Sequence, residues 1–600
     1  MELLDLDGVI EKGVFEIPSY QRGYAWQKEQ LKDFWNDLEH VSKLGNKFHY
    51  MHSLTLRESE NELEDSTFEI IDGQQRLATS LILLGLLAKI TQNKDPKYSL
   101  INLEPVLSYK YYGLNEAFRA IMEEEKDLER FQTSSSFYAK NLIDAYEFFQ
   151  EKISDTPVRT LEKMFDALTK KMLFSAVELN DNRIDPFSSF ETINNRGKDL
   201  STLELLKNRL HFVAHKICDE EDLENLQNEI NDTYTRIYHD LRQFEDAHLE
   251  SFLKHFVAYY YGENSKFKER LLNTAFGTHK KYDDLYDEYE KINDLLFYLS
   301  YSSKVWYFLH TLDDEELRIE ITPKMRDLLD KMRRLNALSN DAFLPLLLSL
   351  LTIQLAVRSG SERHYTTKEL EGLLEYLERF GFLIYGVAGS KNTAKNEWIG
   401  LAFKAIQACR FWRDKIAIED LPTLEKHFFN KHNNSALELL EESIHSKKNT
   451  EKWYQWGKAL NYLLYEYELY HNPETTLNFD GSLESIEHIL PQNPDQGYSA
   501  KEKNWAKNPH VVHALGNLLL ISKNANSSLS NKPFEEKRKQ YLKGSYSEKE
   551  VAKNASFGVA QIKERSEKLL DFLIARYRIA ELVGESEIKA FKNALLKDIE

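Results

Sequence analysis

"SIEHILPQNP", residues 485–494, sets a carboxylate and an imidazole side by side, Glu487 and His488, at the end of a short apolar run. Ile489 and Leu490 follow, and Pro491 stops regular structure. Downstream, "ALGNLLLIS" (514–522) reads as a second strand and "NANSSLSNKPFEEKRKQYL" (524–542) opens a helix. That is a β–β–α order within one short segment. His488 ends the first strand, Asn517 begins the second and Asn526 lies near the helix start. A hairpin folded onto a helix brings these three ends together, with Glu487 beside His488.

Such a set suits metal-assisted phosphodiester hydrolysis. Mg²⁺ or Mn²⁺ takes hard oxygen ligands, which Glu487 and Asn526 supply. His488, neutral near pH 7, accepts a proton from water. Asn517 fixes the histidine loop by side-chain to backbone hydrogen bonds. A lone histidine at a strand end is usually structural. The acid–histidine pair, the N-x₈-N spacing of Asn517 and Asn526, and the Lys-rich helix behind them favour the nuclease reading.

"EHILPQ", "HALGNLLLIS" and "KNANSSLSNKPFEEKRKQY" resemble the HNH (ββα-metal) nucleases. More narrowly, they resemble the C-terminal nuclease domain of GmrSD-type, modification-dependent (type IV) restriction enzymes. The resemblance implies His488 as general base, Glu487 and Asn526 as metal ligands and Asn517 as the loop-positioning residue. The third motif position is Asn rather than His, a variation the family pattern allows.

A second group lies near the N-terminus. In "IPSYQRGYAW" (17–26) and "IIDGQQRLAT" (70–79), Asp72-Gly73 ends a strand and Gln74-Gln75-Arg76 opens a helix. Gly73 permits a tight turn, and the helix N-terminus offers N–H groups to a phosphate. Arg22 and Arg76 add bidentate phosphate donors, Asp72 a ligand for Mg²⁺ or ribose, and Tyr20, Tyr24 and Trp26 aromatic faces for a base. There is no GxxxxGK[ST], so a nucleotide site here is not a P-loop. With "FETINNRG" (190–197), these motifs resemble the ParB/sulfiredoxin-like N-terminal domain of the same family, associated with nucleotide binding and hydrolysis. The resemblance implies that Gln21, Arg22, Asp72, Gly73, Gln74, Gln75 and Arg76 line an NTP site, with Asn194, Arg196 and Gly197 near it or at its helical cover.

The bulk properties agree with a large, mostly helical, multidomain protein. The chain has 600 residues, 42% hydrophobic and 29% charged, with only 13 Pro and 23 Gly. An α/β N-terminal domain, a helical middle and a C-terminal ββα domain within helices are expected, at 1–215, 216–435 and 436–600. Two distant cysteines, Cys218 and Cys409, and no apolar leader fit a cytoplasmic protein without a disulfide framework. The apolar runs at 81–90 and 344–357 are too short to span a bilayer, so no membrane partner is expected. Net charge is −19, yet residues 501–550 carry ten Lys/Arg against five acids, a basic island beside the histidine motif.

The expected function is an NTP-regulated, metal-dependent endonuclease that cleaves modified phage DNA in bacterial defence, possible as a homodimer. The alternatives are a nucleotide-dependent DNA-binding regulator without nuclease activity, and an RNA-cleaving toxin. Divalent-metal dependence of cleavage, and comparison of DNA with RNA, separate them.

Overall fold

Six short strands carry the first half of the molecule: β1 (Glu2–Leu4), β2 (Val14–Ile17), β3 (His49–Glu58), β4 (Thr67–Asp72), β5 (Leu107–Tyr109) and β6 (Met172–Glu178). They form one mixed sheet in the order β1-β6-β3-β4-β2-β5. β2 is parallel to both β4 and β5, whereas β3 is antiparallel to β4. The computed structural model describes residues 2–599 apart from 46, 60–66, 92–95, 111–112, 135, 180–184, 195–199, 264–265, 316, 318, 358–364, 412–413, 476, 478–483 and 495–496. The chain divides into two compact units, Met1–Ala258 with Glu263–Tyr307, and Tyr259–Gly262 with Phe308–Glu600.

Helices pack on the sheet of the first unit: α1 (Lys28–Lys43), α2 (Gln74–Ile90), α3 (Phe137–Ser154), α4 (Val158–Lys170), α5 (Pro186–Asn194) and α6 (Thr202–Ile217). α1 alternates apolar and charged residues at helical spacing and buries Leu31, Phe34, Trp35, Leu38 and Val41. α2 is apolar all round, and its residues from Leu77 to Ala88 are buried. An entirely apolar helix has no face for water, so it becomes the centre of the unit. α6 begins with a capping box: Ser201 accepts from Glu204 N, and Glu204 accepts from Ser201 N.

Between β6 and Glu484 the described residues hold no strand, only an isolated bridge from Phe429 to Ser435. The apolar 344–357 run is α7 (Leu344–Ala356), buried from Leu344 to Gln354. α8 (Ala436–His445) precedes the hairpin β7 (Glu484–His488) and β8 (Leu518–Ser522), with α9 (Pro509–Val512) between the strands. β8 begins at Leu518, not at 514: residues Leu515–Asn517 form a single 3₁₀ turn ahead of it. The helix expected over 524–542 is two, α10 (Lys523–Leu529) and α11 (Phe534–Tyr541). Ser530 takes φ +47° and Pro533, which lacks an N–H, starts the second helix, so one continuous helix is not available. α12 (Val559–Arg576) and α13 (Glu585–Leu596) follow. No described helix is long and apolar enough to cross a membrane, and neither Cys218 nor Cys409 is in a disulfide.

Candidate functional site

β7 and β8 pair antiparallel, Glu484 opposite Ser522 and His488 opposite Leu518. Successive strand residues project to opposite faces. Glu487 therefore turns towards α11, where Lys537 Nζ donates to Oε1 at 2.5 Å and Tyr541 Oη donates to the same oxygen at 3.1 Å. Lys537 and Tyr541 are four apart on α11, so one helical face presents both. The same ammonium donates to the carbonyls of His488 at 2.8 Å and Ile489 at 3.2 Å. Burial pushes the Glu487 carboxyl up and the Lys537 amine down, and each charge opposes the other's shift.

His488 takes the other face. Its Nε2 lies 3.0 Å from His513 Nδ1, and the Gln492 amide nitrogen lies 3.3 Å from its Nδ1. The same amide nitrogen lies 3.5 Å from Nε2, and the tautomer decides which imidazole donates between His488 and His513. Tyr454 packs on both imidazoles. Burial, followed by His513 and the Lys537 charge, pushes the His488 pKa down to about 3. The ring is neutral at physiological pH.

Asn517 is fully buried and holds the loop after His488. Its Oδ1 accepts from Leu490 N at 2.8 Å, and its Nδ2 donates to Leu490 O at 2.9 Å and Val512 O at 2.7 Å. Behind it, Arg565 of α12 donates from Nη1 to the carbonyls of Gly516 and Leu518. A Cβ on Gly516 would lie 2.0 Å from Ile562 O, so only glycine lets the 3₁₀ turn press against α12. Asn526 donates from Nδ2 to Ser485 Oγ at 2.7 Å and Ile486 O at 3.2 Å.

His488, Glu487, Asn517 and Asn526 gather at this one hairpin, each with different partners. Ser485 and Glu487 share one face of β7, and Asn526 reaches that strand through Ser485 and Ile486. His488 points to the opposite face with His513, and Asn517 is committed to backbone. The two-residue period of a strand separates neighbours, and adjacency in sequence conceals this. His513, Gln492, Lys537 and Tyr541 had no assigned role in the sequence reading. The signal for His513 was present in "HALGN", four residues before Asn517. Of the ten cations in 501–550, eight are exposed, Arg538 is half-buried and Lys537 is buried.

In the first unit the two motifs hold each other. Gln74 Nε2 donates to Arg22 O at 3.0 Å. Gln75 Nε2 donates to Gly23 O at 2.9 Å, and Gln75 Oε1 accepts from Ala25 N at 2.8 Å. Gln21 reaches back to the carbonyls of Ile70 and Ile71. Asn141 of α3 donates to Tyr24 O, and Lys207 of α6 donates to Ser19 O. Gly73 has φ +104°, and a Cβ there would meet Ser53 O at 3.0 Å. Arg76 donates to Met51 O at 3.0 Å, Ser53 O at 3.2 Å and Asp72 Oδ2 at 3.1 Å. Those carbonyls flank His52, which takes φ +66° where the pairing of β3 with β6 shifts register.

Much of this motif is therefore occupied with the fold. Tyr24 is fully buried with its hydroxyl on Thr79, and Tyr20 packs against Phe187 and Phe190 of α5. Neither ring presents a face to a base; Trp26 stays half-buried beside Phe34. α5 and α6 do cover the 18–25 loop, as Tyr20 and Lys207 record. Asn194 is the last residue of α5, and Arg196 and Gly197 lie outside the described residues. Two buried carbonyl oxygens in the cradle, Gln21 Oε1 and Gln74 Oε1, have no hydrogen-bond partner.

No curated protein matches the chain. The family model "GmrSD restriction endonuclease, N-terminal domain" matches residues 3–211, which hold the sheet and both cradle motifs. The model "GmrSD restriction endonucleases, C-terminal domain" matches residues 440–572, which hold the hairpin, His488, Asn517 and Asn526. Together the two matches cover more than half of the chain, in the order expected for a fused protein, and the chain belongs to the GmrSD family of restriction endonucleases.

Proposed function

We propose that this chain is an NTP-regulated, divalent-metal-dependent HNH endonuclease that cleaves modified phage DNA. The observation that carries the reading is His488: a neutral imidazole at the rim of a β-hairpin, paired through Nε2 with His513 and approached at Nδ1 by the exposed side chain of Gln492. In the tautomer that leaves Nδ1 unprotonated, a water that replaces the Gln492 amide would meet the Nδ1 lone pair, which takes its proton as attack on phosphorus begins. Asn517 keeps that lone pair in place by fixing the segment that follows.

The donor chemistry on the Glu487 face fits Mg²⁺ or Mn²⁺. Lys537 and Tyr541 both bond Oε1, so Oε2 is the oxygen that Glu487 offers a cation; with Nδ2 committed to β7, Asn526 offers Oδ1. When bound, the ion supplies Lewis-acid stabilisation of charge on the phosphate. The exposed lysines of 501–550 give the DNA backbone a basic surface within an acidic chain.

The N-terminal cradle is read as the NTP site, with Gln21, Arg22, Asp72, Gly73, Gln74, Gln75, Arg76, Asn194 and Arg196 in or around it. Its support is the first turn of α2, which has no side-chain cap, and the unpartnered oxygens of Gln21 and Gln74. The proposed divisions are 1–215 for this regulatory domain, 216–435 for a helical spacer and 436–600 for the nuclease. A double-strand cut by one site per chain would call for a dimer.

The deciding experiment is a cleavage panel of unmodified, methylated, glucosylated and phosphorothioated DNA, with Mg²⁺ or Mn²⁺ and with or without NTP. Wild type is expected to cut at least one modified substrate only with metal, and His488→Ala to leave it intact while still hydrolysing NTP. Undiminished cutting by that variant sinks the site assignment.

A further inference from the structure

Three ligand-bearing side chains from distant parts of the second unit converge away from the hairpin. His445 is the last residue of α8, His510 lies in α9, and Asp598 follows α13. His445 Nε2 is 3.4 Å from Asp598 Oδ2, and His510 Nδ1 is 3.6 Å from the same oxygen. The two imidazoles face each other at 6.0 Å between centroids, 29° from parallel. One ligand atom from each of the three residues lies within 4.8 Å of the other two.

These spacings are informative. A histidine–carboxylate hydrogen bond draws nitrogen and oxygen to roughly 2.7–3.2 Å. Both pairs sit beyond that range. Around a tetrahedral ion with bonds of about 2.0–2.2 Å, adjacent donor atoms stand roughly 3.3–3.6 Å apart. Both pairs fall within that window. The three side chains are half-buried, open enough for an ion to enter and for a water to complete its shell.

The donor types select the ion. Two imidazoles and one carboxylate favour zinc or a similar transition dication over Mg²⁺ or Ca²⁺, which prefer oxygen throughout. A metal takes histidine in its neutral form.

We propose that His445, His510 and Asp598 form a transition-metal site of the zinc class, separate from the nuclease metal, that ties α8, α9 and the segment after α13 together. The tie bears on the nuclease face. His513 caps the C-terminus of α9, three residues beyond His510, and is the partner of the His488 imidazole. A metal at His510 fixes the short helix that carries this partner. The site itself stands without the nuclease assignment; only its consequence for His513 rests on that reading.

The test uses the full chain, stripped of metal with a chelator and titrated with Zn²⁺, and with Co²⁺ as a visible probe of tetrahedral coordination. Wild type is expected to bind one Zn²⁺ per chain at this site, melt at a higher temperature with Zn²⁺ and show Co²⁺ d–d bands; Mg²⁺ should not compete with Zn²⁺ for this site. His510→Gln and Asp598→Asn should each weaken that binding by more than about tenfold, since even outer-shell partners of a metal contribute that much. Both variants should melt like the wild type when metal-free, and His513→Ala should retain the zinc equivalent. Unchanged zinc affinity in His510→Gln and Asp598→Asn, or loss of the equivalent in His513→Ala instead, overturns the proposal. The readouts do not involve DNA, so a failure here is distinct from a failure of the nuclease reading.

Discussion

Asn517 and Leu490 bond each other twice: the Leu490 N–H donates to Asn517 Oδ1 at 2.8 Å, and Asn517 Nδ2 donates back to Leu490 O at 2.9 Å. A side-chain amide thus reads the backbone of the loop as a second strand would. A primary amide supplies two N–H donors and a carbonyl acceptor at once, and Asn517 uses all three.

Asn517→Asp keeps the acceptor and loses the donor, leaving Leu490 O and Val512 O facing a carboxylate in a fully buried position. Each buried group left unpaired costs about 1–3 kcal/mol, and a carboxylate there adds more. The expected outcome is a lower melting temperature for the second unit and loss of cleavage, with NTP hydrolysis by the first unit retained. Thermal scans and parallel nuclease and NTPase assays check this; equal cleavage by Asn517→Asp would remove the positioning role.

The Glu487–Lys537 pair gives a double-mutant prediction. Lys537→Met leaves the Glu487 charge buried with only Tyr541, at a cost of about 3–5 kcal/mol. Glu487→Gln with Lys537→Met removes both charges and should recover most of that stability. It should not recover cleavage, because the proposed metal oxygen is gone. Recovery of both stability and cleavage would reduce Glu487 to a purely structural residue.

How far the sequence discloses such features depends on their period. The α2 helix and the capping box at Ser201 follow from local pattern, because each is decided within a few residues. The partners of Glu487 and His488 are not local. Lys537 lies 50 residues after Glu487 and His513 lies 25 after His488. Only the alternation of β7 decides which partner each residue meets. The same holds in the first unit. DGQQR reads as a free phosphate cradle, yet Gln74 and Gln75 find the backbone of Arg22 and Gly23 some 50 residues upstream. Aromatic residues mislead for a similar reason: Tyr24 looks available in sequence and is buried because Asn141 and Thr79 draw its loop inward.

Gln75→Ala separates fold from function in the cradle. It strands the Gly23 carbonyl and the Ala25 N–H, both buried, at about 1–3 kcal/mol each. NTP hydrolysis should fall with the melting temperature of the first unit. Arg22→Ala leaves the three Gln75 and Gln74 loop bonds in place, since they run to backbone. If Arg22 meets phosphate, that variant loses NTP affinity with a smaller change in melting than Gln75→Ala. An NTP affinity equal to wild type in Arg22→Ala would exclude it from the phosphate contacts.

The last prediction concerns pH. A histidine in the unfolded chain titrates near about 6.5, and in the fold burial, His513 and Lys537 hold His488 down at about 3. Between those values the unfolded state binds a proton that the native state does not. Stability is therefore intact above about pH 6.5 and declines as pH falls from there towards 3. The melting temperature of the second unit should be flat from neutral to mildly alkaline pH and drop on acidification. His488→Gln, which carries no proton in either state, should shallow that drop. His513 and His510, also pushed down by burial, keep part of it. The same depression has a kinetic corollary. If His488 is the base, it remains unprotonated at pH 6, so the acid limb of cleavage does not fall at an ordinary histidine value. An acid limb centred near 6.5 that disappears in His513→Gln would assign the titration to His513 instead and make the pair, rather than His488 alone, the proton acceptor.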